Sequence, residues 1–223
     1  MLNLTPEMIT KVSTVINGQR AEDLARLHNL ICPKYGIDSA DIFHEFFSNV
    51  LHESGCFMIV SESLNYSVES LLSMFSRQRI SVDEASRFGR KKGQTANEPA
   101  IGNAIYGGEW GKRNLGNEKP FDGYLFRGAG PMQITGRANF TAFTKFYNDL
   151  TGTIYTLDEM SKLLRTNIEV GIHSACWVFA IAKKLNNLAA DDKINWIVKK
   201  INGGYNGLPE RMKYYERCKQ FIV

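Results

Sequence analysis

Apolar residues return every three or four positions along most of the chain, the spacing of helices that bury one face. Thr5-Pro6 makes a good helix start, and Met8, Ile9, Val12, Val15 and Ile16 form a stripe behind it. Residues 20–31 repeat the pattern with Leu24, Leu27, Leu30 and Ile31. Asp38 or Ser39 can cap a helix that runs to about Glu53, and Ser81 with Glu84 has the spacing of a capping box. Further helices are expected over 98–106, 136–149, 157–165, 168–186, 191–201 and 208–219. The run from Glu169 to Lys184 is apolar on several sides, through Val170, Ile172, Cys176, Trp177, Phe179 and Ile181, and reads as a central buried helix. Strand signals are few and short: Phe57 to Val60, Tyr124 to Arg127 and Pro131 to Ile134. The pattern predicts a mainly α fold. Its glycine-bearing middle, residues 89–136, suits the wall of a cleft.

Composition narrows the class. The 223 residues are 43% hydrophobic and 22% charged, which excludes a disordered chain, a collagen-like repeat and a small disulfide scaffold. No run of about eighteen apolar residues is present, so no membrane-spanning helix is expected. Met1-Leu2-Asn3-Leu4-Thr5-Pro6 lacks a basic segment followed by an apolar run, so a secretory signal is not expected and synthesis in a cytoplasm is. Cys32, Cys56, Cys176 and Cys218 form no C-x-x-C motif and read as free buried thiols. His28, His44, His52 and His173 form no H-E-x-x-H motif. Neither a catalytic metal nor another cofactor is expected. Residues 77–92 hold Arg77, Arg79, Arg87, Arg90, Lys91 and Lys92 against Asp83 and Glu84, an excess equal to the whole chain's +4. Such a segment suits an anionic partner or is a solvated face. Only Phe88 interleaves with these charges, so no nucleic-acid partner is expected.

The helix ending at Glu53 carries the most chemistry. At about 100° per residue, Ile42, Phe43, Phe46, Phe47, Val50 and Leu51 cover one face. Glu45, Ser48 and His52 fall outside that face, and Glu53 lies roughly 70° from its centre. A carboxylate among apolar groups at the negative end of a helix dipole is harder to ionise, which suits a general acid. The competing reading is a surface glutamate at a frayed helix end. Glycoside hydrolysis needs a second carboxylate. In inverting enzymes the two sit roughly 6.5–9.5 Å apart around a water. Glu62, nine residues on, can face Glu53 if Phe57 to Val60 folds back; Glu69 and Glu84 are its competitors. In Gly128-Ala129-Gly130-Pro131-Met132-Gln133-Ile134-Thr135, the polar Gln133 and Thr135 alternate with apolar neighbours and would share one side of a short strand, where they could meet sugar hydroxyls. Asn202-Gly203-Gly204 reads alone as a helix end.

These residues carry a resemblance. His52-Glu53-Ser54-Gly55 resembles the catalytic helix end of family 19 glycoside hydrolases, the plant-type chitinases and related bacteriophage endolysins. In the same order follow Leu64-Asn65-Tyr66-Ser67, Ala104-Ile105-Tyr106-Gly107-Gly108, Arg127-Gly128, Gln133 through Phe140, Ser174-Ala175-Cys176-Trp177 and Ile201-Asn202-Gly203-Gly204. The Asn-Tyr-Ser and Tyr-Gly-Gly variants resemble the endolysin branch. The resemblance implies a lysozyme-like two-lobed fold with a small β element beside the cleft. One catalytic domain over 1–223 is expected, its smaller lobe within about 57–125, and no separate wall-binding module, since the N-terminal 35 residues read as helices of the same fold. Carried over by motif, Glu53 is the general acid, Glu62 the base, and Thr135 holds the attacking water. His52, Tyr106, Gln133, Asn139, Asn202 and Arg211 fall to substrate binding. Cys56, Ala129 and Phe140 depart from the pattern, standing where relatives carry glycine, arginine and tyrosine.

The function so implied is a monomeric endolysin that hydrolyses β-1,4 bonds of peptidoglycan glycan strands. It would be made in a host cytoplasm and reach the wall in the periplasm after membrane permeabilisation, with the basic 77–92 segment toward an anionic envelope. A chitinase is the alternative. A lytic transglycosylase using one carboxylate and a non-catalytic wall-binding module are the more distant ones.

Overall fold

The structure is a computed structural model that describes residues 2–223; Met1 lies outside the described residues. Helices carry it. In chain order they are α1 (Pro6–Val12), α2 (Gly18–Ile31), α3 (Ala40–Glu53), α4 (Val68–Met74), α5 (Val82–Phe88), α6 (Glu98–Ile105) and α7 (Gly108–Leu115). After these come α8 (Asp122–Leu125), α9 (Arg137–Thr151), α10 (Leu157–Thr166), α11 (Ile168–Cys176), α12 (Asn186–Ala190), α13 (Ile194–Asn202) and α14 (Leu208–Phe221). A π-helical stretch, Trp177–Ala182, continues α11. The mainly α class holds. The small β element does not form: among the described residues only isolated bridges occur, such as Ser61 with Ala129 and Ala129 with Ile134. Phe57 to Val60 is turn and coil, Pro131 to Gln133 is a turn before the Ile134 bridge, and α8 takes part of the strand expected at Tyr124 to Arg127.

Two compact units divide the chain. The first joins the segment up to Val60 with Gly130–Met132 and Asn167–Val223; the second joins Ser61–Ala129 and Gln133–Thr166.

In the first unit α3 is the central rod, with α12, α13 and α14 packed against it. Ser39 caps its start by accepting the Ile42 N–H. Phe43, Phe46 and Phe47 are fully buried and meet the buried His28 ring edge-on. Each such side chain contributes about 1.5–3 kcal/mol of burial. Packing on several sides corrects the two-faced reading of this helix: Glu45 and Ser48, placed outside the apolar face by periodicity, are both fully buried. Ser48 Oγ donates a hydrogen bond to the Glu45 carbonyl, 3.1 Å away.

The Glu45 carboxyl oxygens have no hydrogen-bond partner among the described residues. Burial, reinforced by the charge of Asp192 and only partly offset by Lys219, pushes this carboxyl up to about 8. The folded protein therefore holds a proton that the unfolded chain releases from about pH 4.5 upward. Stability falls as pH rises between those values. Glu45→Gln removes the titration. Chemical denaturation should show it losing less stability than wild type between pH 5 and pH 8. Equal pH slopes for the two proteins would refute the account.

The second unit has its own core of Leu64, Leu71, Ile80, Ala85, Ile101 and Ile105. Ser81 and Glu84 form the expected capping box at the start of α5. The loop before α8 is braced by a buried carboxylate. Asp122 Oδ2 accepts the N–H groups of Glu118 and Lys119, each at 2.9 Å, and Arg137 donates to both of its oxygens at 2.7 and 2.5 Å. In the basic segment most of the cations are anchored by neutral acceptors, and Arg87 alone forms an ion pair among the described residues. Arg77 donates to the carbonyls of Leu72 and Phe75, and Arg87 pairs with Asp83. Lys91 binds Ser86, and Arg90 reaches the Asn65 side chain. Arg79 stacks on Trp110, its guanidinium carbon 3.8 Å from the ring centre.

Candidate active site

Each unit holds part of the residue set that the motifs single out. In the first, Glu53 ends α3, where the chain turns through Ser54 and Gly55. The side chain is 23% exposed and pairs with Arg211 of α14, whose own side chain is 1% exposed. The neighbour is thus a guanidinium, not the purely apolar surround that periodicity suggests. Arg211 Nη1 donates to Asn49 Oδ1 at 2.8 Å, one turn back along α3, so the guanidinium clasps the helix end at two points. His52 lies beside this pair. Burial holds its ring below the usual histidine range, with the Arg211 charge acting the same way. A side chain on Gly207 would place its Cβ 2.4 Å from His52 Nε2, and the Gly207 φ of +73° is itself a glycine conformation. Asn202 is the last residue of α13. Its amide donates to the Asn206 carbonyl at 3.0 Å and closes the glycine turn. Arg211 is thus buried, with its guanidinium on Glu53 and Asn49.

In the second unit the Glu62 carboxylate takes two donors. Tyr106 Oη donates to Oε1 at 2.7 Å, and the Gly128 N–H donates to Oε2 at 2.9 Å. Burial and the Glu62 charge both push the Tyr106 hydroxyl far above its ordinary range, so it stays a donor. Gly128 suits the close approach. A Cβ would sit 2.4 Å from Gln133 Oε1 and 3.2 Å from Glu62 Cβ, so a larger residue would have to displace the Gln133 amide from over the carboxylate.

Glu62, Tyr106, Gly128 and Gln133 are thus brought together, but not by the alternating strand expected. Gln133 has φ +51° in a turn. Thr135 Oγ1 donates to the Gln133 carbonyl at 3.1 Å, and Asn139 in the first turn of α9 donates to the Thr135 carbonyl at 2.9 Å. Two half-buried carboxylates held by directed donors have what acid–base chemistry asks for: partial access and fixed orientation. The sequence reading omitted Asn49 and the N–H of Gly128.

No family model matches the chain. Over 170 residues it is 32% identical to a protein of Haemophilus influenzae described as a glycosyl hydrolase family 19 domain-containing protein, an alignment that covers 76% of this chain and 74% of the relative. The chain belongs to glycoside hydrolase family 19. The stretches carrying the family 19 motifs supply the carboxylates just described, one in each unit.

Proposed function

We propose that this family 19 glycoside hydrolase is an endolysin that cleaves β-1,4 bonds of peptidoglycan between N-acetylmuramic acid and N-acetylglucosamine, with inversion. In this reading Glu53 protonates the bridging oxygen, and Glu62 takes a proton from the water that attacks the anomeric carbon. Thr135 steadies that water. Arg211 orients the acid, and Tyr106 with the Gly128 N–H orients the base. His52, Gln133, Asn139 and Asn202 supply polar contacts to the N-acetyl sugars. The enzyme reaches the wall after the host membrane is permeabilised, and an anionic envelope is its setting. The observation that carries the reading is the paired restraint: both motif glutamates remain accessible while dedicated donors fix their carboxylates.

Product analysis of digested, purified peptidoglycan tests it. The expected products end in reducing N-acetylmuramic acid, with the α-anomer formed first. Anhydro ends would replace hydrolysis by transglycosylation, and β-anomers would reject the water-activating role of Glu62. Turnover of chitin oligomers with peptidoglycan left intact would make the protein a chitinase.

A further inference from the structure

The second unit carries a concavity of about 540 Å³ that the mechanism above does not use. It lies behind Tyr106: the adjoining Gly107 and Gly108 form part of its wall, and Asn117, also in the wall, donates to the Tyr106 carbonyl at 2.7 Å. Gly108 leaves its stretch open, since a Cβ there would meet nothing within 4 Å.

Four charged side chains line the hollow: Glu109, Lys112, Glu118 and Lys119. All four are exposed, and none enters an ion pair among the described residues, although both signs are present. Phe121 stands at the rim, 73% exposed. Its φ of +72° is a conformation that large side chains avoid. The Asp122 brace fixes the loop around it, so an aromatic ring is held in water by a rigid backbone at a cost in both strain and hydration. A site for a neutral glycan would not need two acids and two lysines. A short peptide with free carboxylates and an amine would use all of them, and Phe121 would cover its aliphatic part. The volume lies within the range of small-ligand sites.

We infer that this hollow binds the peptide stem of peptidoglycan, the short charged peptide that branches from N-acetylmuramic acid. The inference rests on the peptidoglycan reading above and deepens it. A stem seated here would be joined to a sugar beside Tyr106, next to Glu62, which gives this enzyme a means of telling wall glycan from chitin.

Binding is read first, independently of turnover. Nitrogen-labelled full-length protein is titrated with a synthetic wall tetrapeptide bearing free carboxylates and one side-chain amine, and separately with an N-acetylglucosamine tetramer. The peptide should shift the amide signals of Gly107, Gly108, Lys119 and Phe121 saturably. Phe121→Ala, and separately Lys119→Glu, should weaken it about tenfold. Unmoved signals, or signals moved by the sugar tetramer instead, overturn the inference. Turnover is read second, on stem-bearing glycan and on glycan stripped of its stems. Phe121→Ala should raise KM about five- to tenfold on the first substrate, with kcat and the stripped substrate unaffected. Equal losses on both would assign Phe121 to the fold or the glycan. Wild-type protein that cuts neither substrate sinks the hydrolase reading, and the titration alone then decides the hollow.

Discussion

Glu53→Gln is expected to leave a folded protein whose hydrolysis of peptidoglycan is about 10²–10⁴ times slower. The amide has the shape of the acid and its oxygen can still accept from Arg211, but it has no proton to give to a leaving oxygen. The substitution also takes the countercharge from a guanidinium that is 1% exposed, so the melting temperature should drop by several degrees. Circular dichroism at 25 °C therefore has to accompany the assay. A folded variant within a factor of ten of wild-type turnover would remove Glu53 from the acid role.

Arg211→Ala should be the most damaging single change to stability. The side chain is buried, reaches Asn49 and Glu53 at once, and lies between α14 and α3, the central helix of the first unit. Its removal leaves a cavity, an unsatisfied Asn49 oxygen and a carboxylate without its partner. The expected loss is about 3–5 kcal/mol. In a chain of this length that lowers the melting temperature by roughly 10 °C. Arg211→Lys should recover only part of it, since an ammonium cannot span both acceptors in the geometry of a guanidinium. A melt within two or three degrees of wild type would show that the clasp contributes little. Activity of Arg211→Lys is informative beside stability: kcat should fall more than KM rises if the guanidinium orients Glu53.

The elements that could be read in advance are those fixed by short-range chemistry. Ser39 and the Ser81–Glu84 box cap the helices they were expected to cap, because an N-cap bond spans three residues and is visible in the sequence. The π-helical continuation at Trp177–Ala182 was hidden in the apolar run, which shows burial but not the width of the turn. The strand expected at Tyr124 to Arg127 gave way to α8, whose approach is set by Asp122 and Arg137, 15 residues apart. Glu45 was misplaced because a period of 3.6 identifies the more apolar face, not a second face covered by other helices. In the candidate site, Glu53 and Glu62 were singled out from motifs. Their restraints were not: Arg211 is 158 residues from Glu53, and Tyr106 is 44 from Glu62. Gln133 and Thr135 were expected on one side of a short strand, but a positive-φ turn, not a pleat, orients Gln133.

Cys32, Cys56, Cys176 and Cys218 are all free, and none is more than 3% exposed. Alkylating and maleimide reagents act on thiolates they can reach, so the native fold screens all four from labelling. A fluorophore or spin probe can therefore be attached through one engineered surface thiol without first stripping the natural ones, and slow modification of the native four would report the opening of the helical cores that hide them.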